Sequence, residues 1–190
     1  MHYIRAIKGY VTELYGKPNV GKTHICINDC YLHALYKDKV LFISLGCDEK
    51  ETVNRFKMIN GYDEYIASSY LDIIGKDMID NNIISLIESG KYEYIYIDSL
   101  REIENVGFET NYVLELLGNI ARKNDISIII TDYYQRQNVI KKSIQSIASL
   151  FRKKVDNYIN MFIVAKNYNG KMISDVFIFN EEKSNYLYSF

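Results

Sequence analysis

Residues 16–23 read Gly-Lys-Pro-Asn-Val-Gly-Lys-Thr and fit the pattern G-x-x-x-x-G-K-[ST] of a phosphate-binding P-loop. A loop that wraps a phosphate must turn several backbone N–H groups inward, and glycine permits the dihedral angles and the close approach that this requires. The helix that follows directs its positive end at the same anion. The pattern predicts that Lys22 reaches the β- and γ-phosphates of a nucleotide and that the Thr23 hydroxyl ligates Mg²⁺.

The sequence on either side of this loop has the form that the motif needs. Residues 10–15 are rich in β-branched and aromatic side chains, which indicates a strand. From Thr23 to Tyr36 apolar residues recur at helical spacing. Strand, loop and helix in this order are the structural context of a P-loop, so the match is interpreted as a nucleotide site and not as a chance match in a polar loop.

The remaining chain alternates between strand and helix patterns. Strands are predicted at 40–45, 92–98, 126–131, 158–165 and 172–179, with an edge strand at 185–190. Helices are predicted at 48–59, 77–89 and 111–124, and residues 138–154 are amphipathic at helical spacing. Residues 1–8 form a lead-in or an extra strand, 65–74 a short strand and a loop, and 101–110 a polar connection.

Two local signals refine this assignment. Asp48 is a candidate N-cap, with Glu51 three residues later completing a capping box. Asn169-Gly170 predicts a hairpin turn. The alternation predicts an α/β fold, a three-layer sandwich with a mostly parallel sheet that ends in an antiparallel hairpin. The nucleotide is expected at the carboxyl ends of the strands.

Composition limits the classes of protein. We expect 190 residues to form one domain, spanning 1–190, and 48% hydrophobic with 25% charged residues is ordinary for a globular protein. The net charge of −1 gives no overall positive field for nucleic acid or membrane. Three cysteines and the lack of a signal sequence favour the reducing cytoplasm, and no apolar run has membrane-spanning length. Cys26, Cys30 and His33 share one helix, where packing is favoured over a metal site.

A second acidic position completes the predicted site. Asp98 ends the apolar strand 92–98, where an acid is needed to hold the Mg²⁺ water shell. This is the Walker B arrangement, and it is favoured over an ordinary strand-end cap because a P-loop lies upstream.

With these residues the chain resembles the RecA-like P-loop ATPases, closest to the C-terminal domain of DnaB-type replicative helicases within the RecA and KaiC group. Residues 12–23 resemble the P-loop strand of RecA-type recombinases, and residues 44–55 resemble the helicase segment S-L-E-M-s-x-e-x-l-x-x-R. Residues 97–100 resemble the Walker B strand of RecA and KaiC proteins, and residues 165–170 the helicase hairpin A-K-x-R-x-G. The segments occur in the family's order and cover nearly the whole chain.

The resemblance implies ATP and Mg²⁺ as cofactors and a set of site residues. Arg55 falls on the arginine that stacks against adenine, although a solvated helix arginine is the alternative. Thr131 and Asp132 fall on the family's Ser-Gln sensor, with Asp in place of Gln. The cofactor-binding set is Gly16, Asn19, Val20, Gly21, Lys22, Thr23, His24 and Arg55, the metal set is Thr23 and Asp98, and the catalytic set is Lys22, Asp98 and Glu49.

Two departures bear on hydrolysis. The family's catalytic glutamate, which orients the attacking water, falls on Gly46, which has no side chain for this task. Asp48 or Glu49 would replace it only if the loop bends inward. The arginine finger, supplied across a subunit interface, falls on Tyr168, with Lys166 nearby. Loss of such a finger costs about 10³-fold or more in rate. We therefore expect an ATPase that is slow or has lost turnover.

Three functions are compatible with these residues. The first is a helicase-like, recombinase-like or loader-like ATPase of DNA replication or recombination, a homo-oligomer with nucleotide near the subunit interface. In it the loop 133–142 would bind single-stranded DNA through Tyr134, Arg136, Lys141 and Lys142. The second is a non-hydrolysing, KaiC-like scaffold in which ATP controls assembly with a protein partner. The third, a small P-loop kinase, is disfavoured because the few arginines are scattered.

Overall fold

The computed structural model describes residues 4, 6–80, 82–105, 109–133, 144–154, 159–168, 171–180 and 185–189. The strands are β1 Val11–Tyr15, β2 Val40–Ser44, β3 Leu71–Ile74, β4 Tyr94–Asp98, β5 Ser127–Asp132, β6 Ile144–Lys154, β7 Ile159–Tyr168, β8 Lys171–Asn180 and β9 Asn185–Ser189. The helices are α1 Lys22–Leu35, α2 Glu49–Lys57, α3 Glu64–Tyr70, α4 Ile83–Glu88, α5 Leu100–Asn105 and α6 Thr110–Asn124, and a 3₁₀ turn covers Lys76–Met78.

All the described strands belong to one sheet in the order β3-β2-β4-β5-β1-β6-β7-β8-β9. The pairs from β3 to β6 are parallel, whereas β6–β7, β7–β8 and β8–β9 are antiparallel. The predicted mostly parallel sheet with an antiparallel end is therefore confirmed. The predicted turn Asn169-Gly170 itself lies outside the described residues.

Helices cover both faces of the parallel part of the sheet. One core layer joins α1, α2 and α3 to the strands through buried residues such as Ile25, Phe56, Ala67 and Tyr96. The other joins α4, α5 and α6 to the opposite face, with Leu114, Leu117 and Ile120 from α6 among its residues. Continuous apolar runs such as residues 40–43 suit this arrangement because both faces of each central strand are buried. The three-layer sandwich is confirmed.

The order of β4, β5 and β1 positions the candidate site. These three strands are adjacent and parallel, so their carboxyl ends meet at one edge of the sheet. Tyr15 pairs with Asp132, and Ser44 pairs with Asp98. The backbone N–H of Gly16 donates to the Asp132 carbonyl at 3.2 Å, which joins the start of the P-loop to the end of β5.

The segment that follows α2 was predicted only in part. The short strand predicted within residues 65–74 is present as β3, Leu71–Ile74. Residues 64–70 form helix α3, which the sequence did not predict, because Oδ1 of Asp63 accepts hydrogen bonds from the N–H groups of Tyr65 and Ile66 and caps a helix there. The predicted helix 77–89 begins only at Ile83. Its first residues instead form the 3₁₀ turn, whose Lys76 N–H donates to the Cys47 carbonyl at 2.8 Å.

Two further assignments were wrong. Residues 144–154 form strand β6 and not the end of an amphipathic helix, because the backbone pairs with β1 on one side and β7 on the other. Residues 100–105 form the short helix α5 at the start of the predicted polar connection. The described parts of residues 1–8 contain no strand. Among the described residues, no helix combines the length and the apolar character that a membrane span needs.

Candidate nucleotide-binding site

The P-loop lies between the end of β1 and the start of α1. Gly21 precedes the helix with φ of 103°, a left-handed conformation that glycine adopts without strain, and Asn19 has φ of 59°. No side chain caps the first turn of α1, and no acidic residue lies in it. The N–H groups of a 14-residue helix are therefore directed at the loop, as binding of an anion requires.

Lys22 extends back across this loop. Its Nζ donates hydrogen bonds to the carbonyl oxygens of Gly16 at 2.7 Å and Lys17 at 3.0 Å, and the side chain is buried. Burial lowers the pKa of Lys22, and the negative charges of Asp98 and Asp132 oppose that shift. A cation with few water neighbours thus lies at the mouth of the P-loop, where a phosphate would meet it.

Asp98 and Thr131 meet at the ends of β4 and β5. The Thr131 hydroxyl donates a short hydrogen bond to Oδ1 of Asp98, and Thr131 is buried. Thr23 and Asp98 line the same cavity, so a hydroxyl and a carboxylate are both available to a cation there. These hard oxygen donors suit Mg²⁺ that keeps several water ligands, and this donor set fits the predicted metal.

Tyr133, directly after β5, lies against the P-loop lysine. Nζ of Lys22 is 4.5 Å from the centroid of the Tyr133 ring, and Cζ of Arg101 is 5.0 Å from the same centroid. Both distances are within the range of cation–π contacts. The Tyr133 backbone N–H donates to Oδ1 of Asp132 at 2.6 Å. The ring is thereby placed in the wall of the site.

A cavity of about 400 Å³ unites these groups, a volume within the usual range of small-molecule sites. Its described lining combines the P-loop, the strand ends, and parts of α1 and α2. The lining residues are Asn19, Gly21, Lys22, Thr23, His24, Ile27, Arg55, Met58, Ile59, Asp98, Ser99 and Tyr133.

Most of the predicted cofactor-binding residues therefore border one space. Gly16 contributes its carbonyl to Lys22, and Val20 packs partly buried against the core. Sequence reasoning missed five lining residues, namely Ile27, Met58, Ile59, Ser99 and Tyr133. The direct adjacency of Ser99 to Asp98 and of Tyr133 to the sensor position offered a signal for two of them, whereas Met58 and Ile59 offered none.

Side chains of α1 and of the segment at the end of α2 complete the lining of the cavity. Nη2 of Arg55 donates to Oε1 of Glu51 at 2.7 Å, which holds the guanidinium along the exposed side of α2. Burial lowers the pKa of His24 to about 4, so its imidazole is neutral at pH 7. The apolar residues Ile27, Met58 and Ile59 line the same cavity, and an apolar lining suits a planar base.

The loop after β2 contributes no carboxylate to the described lining of the cavity, where one would be needed to orient an attacking water molecule. The carboxylate of Asp48 accepts the Glu51 N–H at 2.7 Å and caps α2, as predicted, while the Glu51 side chain bonds Arg55 instead of completing the capping box. Glu49 is exposed and does not belong to the described lining of the cavity. Gly46 is also exposed, and a Cβ built there meets no described atom within 4 Å.

The predicted nucleic-acid residues Tyr134, Arg136, Lys141 and Lys142 lie outside the described residues. Cys26 and Cys30 are buried residues of α1 that pack in the core, and Nδ1 of His33 lies 2.8 Å from Oδ2 of Asp38. Glu102 and Arg101 belong to α5, beside the Asp98 end of the site.

Comparison with known proteins agrees with this geometry. The chain is 30% identical over 146 residues to the DNA repair and recombination protein RadB of Methanocaldococcus jannaschii. That alignment covers 67% of this chain and 66% of RadB, so the chain spans just under two thirds of this relative. No protein-family model matches the chain.

Solved structures share the fold at low sequence identity. A KaiC-like protein from Pyrococcus horikoshii superposes with a TM-score of 0.70 at 16% identity, covering 90% of this chain and 85% of that protein. A DnaB-like replicative helicase, solved to show its interactions with primase, superposes with a TM-score of 0.72 at 17% identity. The match covers 96% of this chain and 58% of the helicase. At these identities the likeness establishes the fold alone.

Proposed function

We propose that the chain is a RecA-like P-loop ATPase that binds ATP with Mg²⁺ and works on DNA in repair, recombination or replication, as its likeness to RadB and its fold support. The observation that carries the nucleotide part is the single cavity shared by the P-loop and the end of β4. The DNA part rests on the likeness to RadB, whose name states that activity.

Each residue of the cavity has its own role in the proposed binding of Mg–ATP. Lys22 exchanges its two carbonyl partners for phosphate oxygens, which are stronger acceptors for an ammonium group. Thr23 and Asp98 hold Mg²⁺, which neutralises charge on the β- and γ-phosphates when it is bound. Thr131 orients the Asp98 carboxylate through its hydroxyl. Arg55 covers the base, and the neutral His24 belongs to the same lining.

We propose that hydrolysis is slow. Gly46 offers no group to orient a water molecule, and the Asp48 carboxylate is engaged as the cap of α2. Glu49, proposed as a substitute base, is exposed and must turn toward the cavity to act. An ordinary general base contributes about 10²–10⁴-fold, so its absence alone accounts for a large loss of rate.

The DNA role is supported by sequence. Tyr134, Arg136, Lys141 and Lys142 combine an aromatic ring with three cations in one segment, which suits stacking on bases and contact with phosphates. Assembly as a homo-oligomer, with nucleotide near the interface between subunits, is part of the same proposal. Exposed Met58 at the rim of the cavity, 70% accessible, offers apolar surface to a neighbouring subunit.

A second function is favoured by Gly46. A KaiC-like scaffold would bind ATP to control assembly with a protein partner and would have no need of a water-positioning group. The space beside Gly46 supports this alternative because no described side chain from elsewhere in the fold replaces the missing carboxylate at that position.

One experiment separates these functions. Binding of Mg–ATP and its turnover are measured with and without single-stranded DNA for the wild type, for Lys22→Ala, and for Lys123→Ala as an exposed lysine control on α6. We expect micromolar-range ATP binding that Lys22→Ala abolishes, and DNA binding that Arg136→Ala and Lys141→Ala weaken and added salt reduces. ATP binding without any DNA binding at low salt would favour the scaffold. Absence of ATP binding by the wild type would overturn both functions.

A further inference from the structure

Two cations share the ring of Tyr133. Nζ of Lys22 and Cζ of Arg101 lie 4.5 Å and 5.0 Å from its centroid, so these two atoms are at most 9.5 Å apart, the sum of the two distances. Lys22 and Tyr133 line the cavity, and Arg101, which is not among the described lining residues, contacts the same ring. The aromatic face thus links the P-loop lysine to a second positive charge that sequence patterns had not assigned to the site.

The backbone holds Arg101 close to the Asp98 end of the cavity. Arg101 is the third residue after Asp98, and Leu100 between them is fully buried in the core beneath α5. The Glu102 N–H donates to the Ser99 carbonyl at 3.1 Å and closes the first turn of this helix. The guanidinium is exposed and belongs to none of the ion pairs formed within the described part of the chain.

A bound triphosphate would add negative charge beside the carboxylates of Asp98 and Asp132, which favours a second cation there. The carboxylates of Asp98 and Asp132 already act on Lys22 and raise its pKa against the effect of burial. A Mg²⁺–triphosphate is itself anionic, and it extends past the P-loop by one phosphate more than a diphosphate does. Lys22 and Arg55 are the cations of the described lining, since His24 is neutral at pH 7, and the Asp98 carboxylate acts on the charges of both.

We propose that Arg101, positioned by the ring of Tyr133, recognises the terminal phosphate and makes this chain distinguish a nucleoside triphosphate from a diphosphate. This inference rests on the proposed nucleotide function. When a phosphate draws Lys22 from the ring, Tyr133 keeps the guanidinium near the cavity, and Arg101 reaches the outermost phosphate by a change of side-chain rotamer. The resemblance to helicases places an arginine finger, supplied by a neighbouring subunit, at residue 168, which is tyrosine in this chain. Arg101 would then supply from within the same chain the positive charge that Tyr168 lacks.

The test compares dissociation constants of Mg–ATP and Mg–ADP by titration calorimetry. The variants are Arg101→Ala, Tyr133→Leu and Tyr133→Phe, with Arg122→Ala as an exposed arginine control on α6. We expect Arg101→Ala to weaken Mg–ATP about tenfold or more, as loss of a charge-assisted hydrogen bond does, while Mg–ADP changes less than about twofold. Tyr133→Leu lowers the same preference, and Tyr133→Phe retains it because the ring is kept.

The outcomes are distinct. An unchanged ratio of the two constants in Arg101→Ala overturns the inference while leaving the proposed function in place. An equal loss for both nucleotides also overturns it, because the terminal phosphate is then not the group recognised. Wild-type protein that binds neither nucleotide overturns the inference together with the proposed function. Arg101 lies on the surface, so its replacement leaves the fold intact, and a thermal melt of each variant checks this.

Discussion

The Thr131 hydroxyl donates a hydrogen bond to Oδ1 of Asp98, and this contact joins the ends of β5 and β4 at the edge of the sheet. Thr131 is 1% exposed, so water cannot replace the bond if the hydroxyl is removed. The orientation of the carboxylate proposed to hold Mg²⁺ therefore depends on a residue in a neighbouring strand.

Thr131→Val removes this donor while retaining the shape of the side chain. We expect the Mg²⁺ concentration for half-maximal ATP binding to rise about tenfold, a magnitude typical of losing a group that orients a metal ligand. The measurement is a nucleotide titration at a series of Mg²⁺ concentrations. Thr131→Ser keeps the hydroxyl and serves as the control. Identical Mg²⁺ requirements for all three proteins would show that this bond has no role in the metal site.

Gly46→Glu places a carboxylate at the position where the resemblance to DnaB-type helicases implies a catalytic glutamate. The Cβ meets no described atom within 4 Å, so the side chain is accommodated without displacing the fold. We expect ATP turnover to rise by on the order of tenfold or more, since a positioned base is restored. Gly46→Gln has nearly the same size without the charge and is the control. Equal turnover in the two variants would place the cause of slow hydrolysis elsewhere.

His24 should make stability depend on pH. Its pKa is about 4 in the folded protein and 6.5 in an exposed histidine, so between these values the unfolded chain binds a proton that the folded chain does not. Stability is therefore lost as pH falls from 6.5 toward 4, by up to about 3 kcal/mol from this group. We expect the difference in melting temperature between wild type and His24→Gln to change across this range and to be constant above pH 7.5. Parallel curves at all pH values would contradict the assignment.

Tyr96→Phe tests a buried polar contact beneath the site. Asp29 is fully buried, and its carboxylate accepts the Tyr96 hydroxyl at 2.8 Å and the Ile4 N–H at 3.0 Å. Removing one donor from a buried carboxylate costs about 1–3 kcal/mol in the free energy of unfolding. Urea denaturation measures this loss. Tyr112→Phe, at a tyrosine that is 65% exposed on α6, should change stability by less than about 0.5 kcal/mol.

The sequence predicted the elements whose signals are local. The strand 10–15, the P-loop and the helix from residue 23 form a continuous pattern, and the structure has β1, the loop and α1 in that order with bounds that differ by one residue. Asp98 was placed at the end of its strand for the same reason, because a run of apolar residues ends there in an acid.

Elements that depend on partners far along the chain were less accessible to sequence reasoning. Residues 144–154 have apolar residues at helical spacing, yet pairing with β1, more than 120 residues earlier, makes this segment a strand. Tyr133 was grouped with a DNA-binding loop because its neighbours in sequence are aromatic and basic. Its ring instead lies against Lys22 and Arg101, a contact that arises only when β5 lies between β4 and β1.

The central position of β5 also determines which backbone amides exchange only when the whole sheet unfolds. Amides of Ile128, Ile129 and Ile130 lie in the strand flanked by both β1 and β4, and these residues are fully buried. Their exchange with deuterium requires unfolding of the whole sheet, whereas the short helix α2, which carries Arg55 of the proposed base site, can open locally. Added nucleotide should therefore slow amide hydrogen exchange most in α2. The amides of β5 should remain among the slowest to exchange with and without nucleotide. The proposed phosphate-binding residues thus lie on the part of the fold expected to exchange most slowly, and Arg55 of the proposed base site lies on a helix that can open locally.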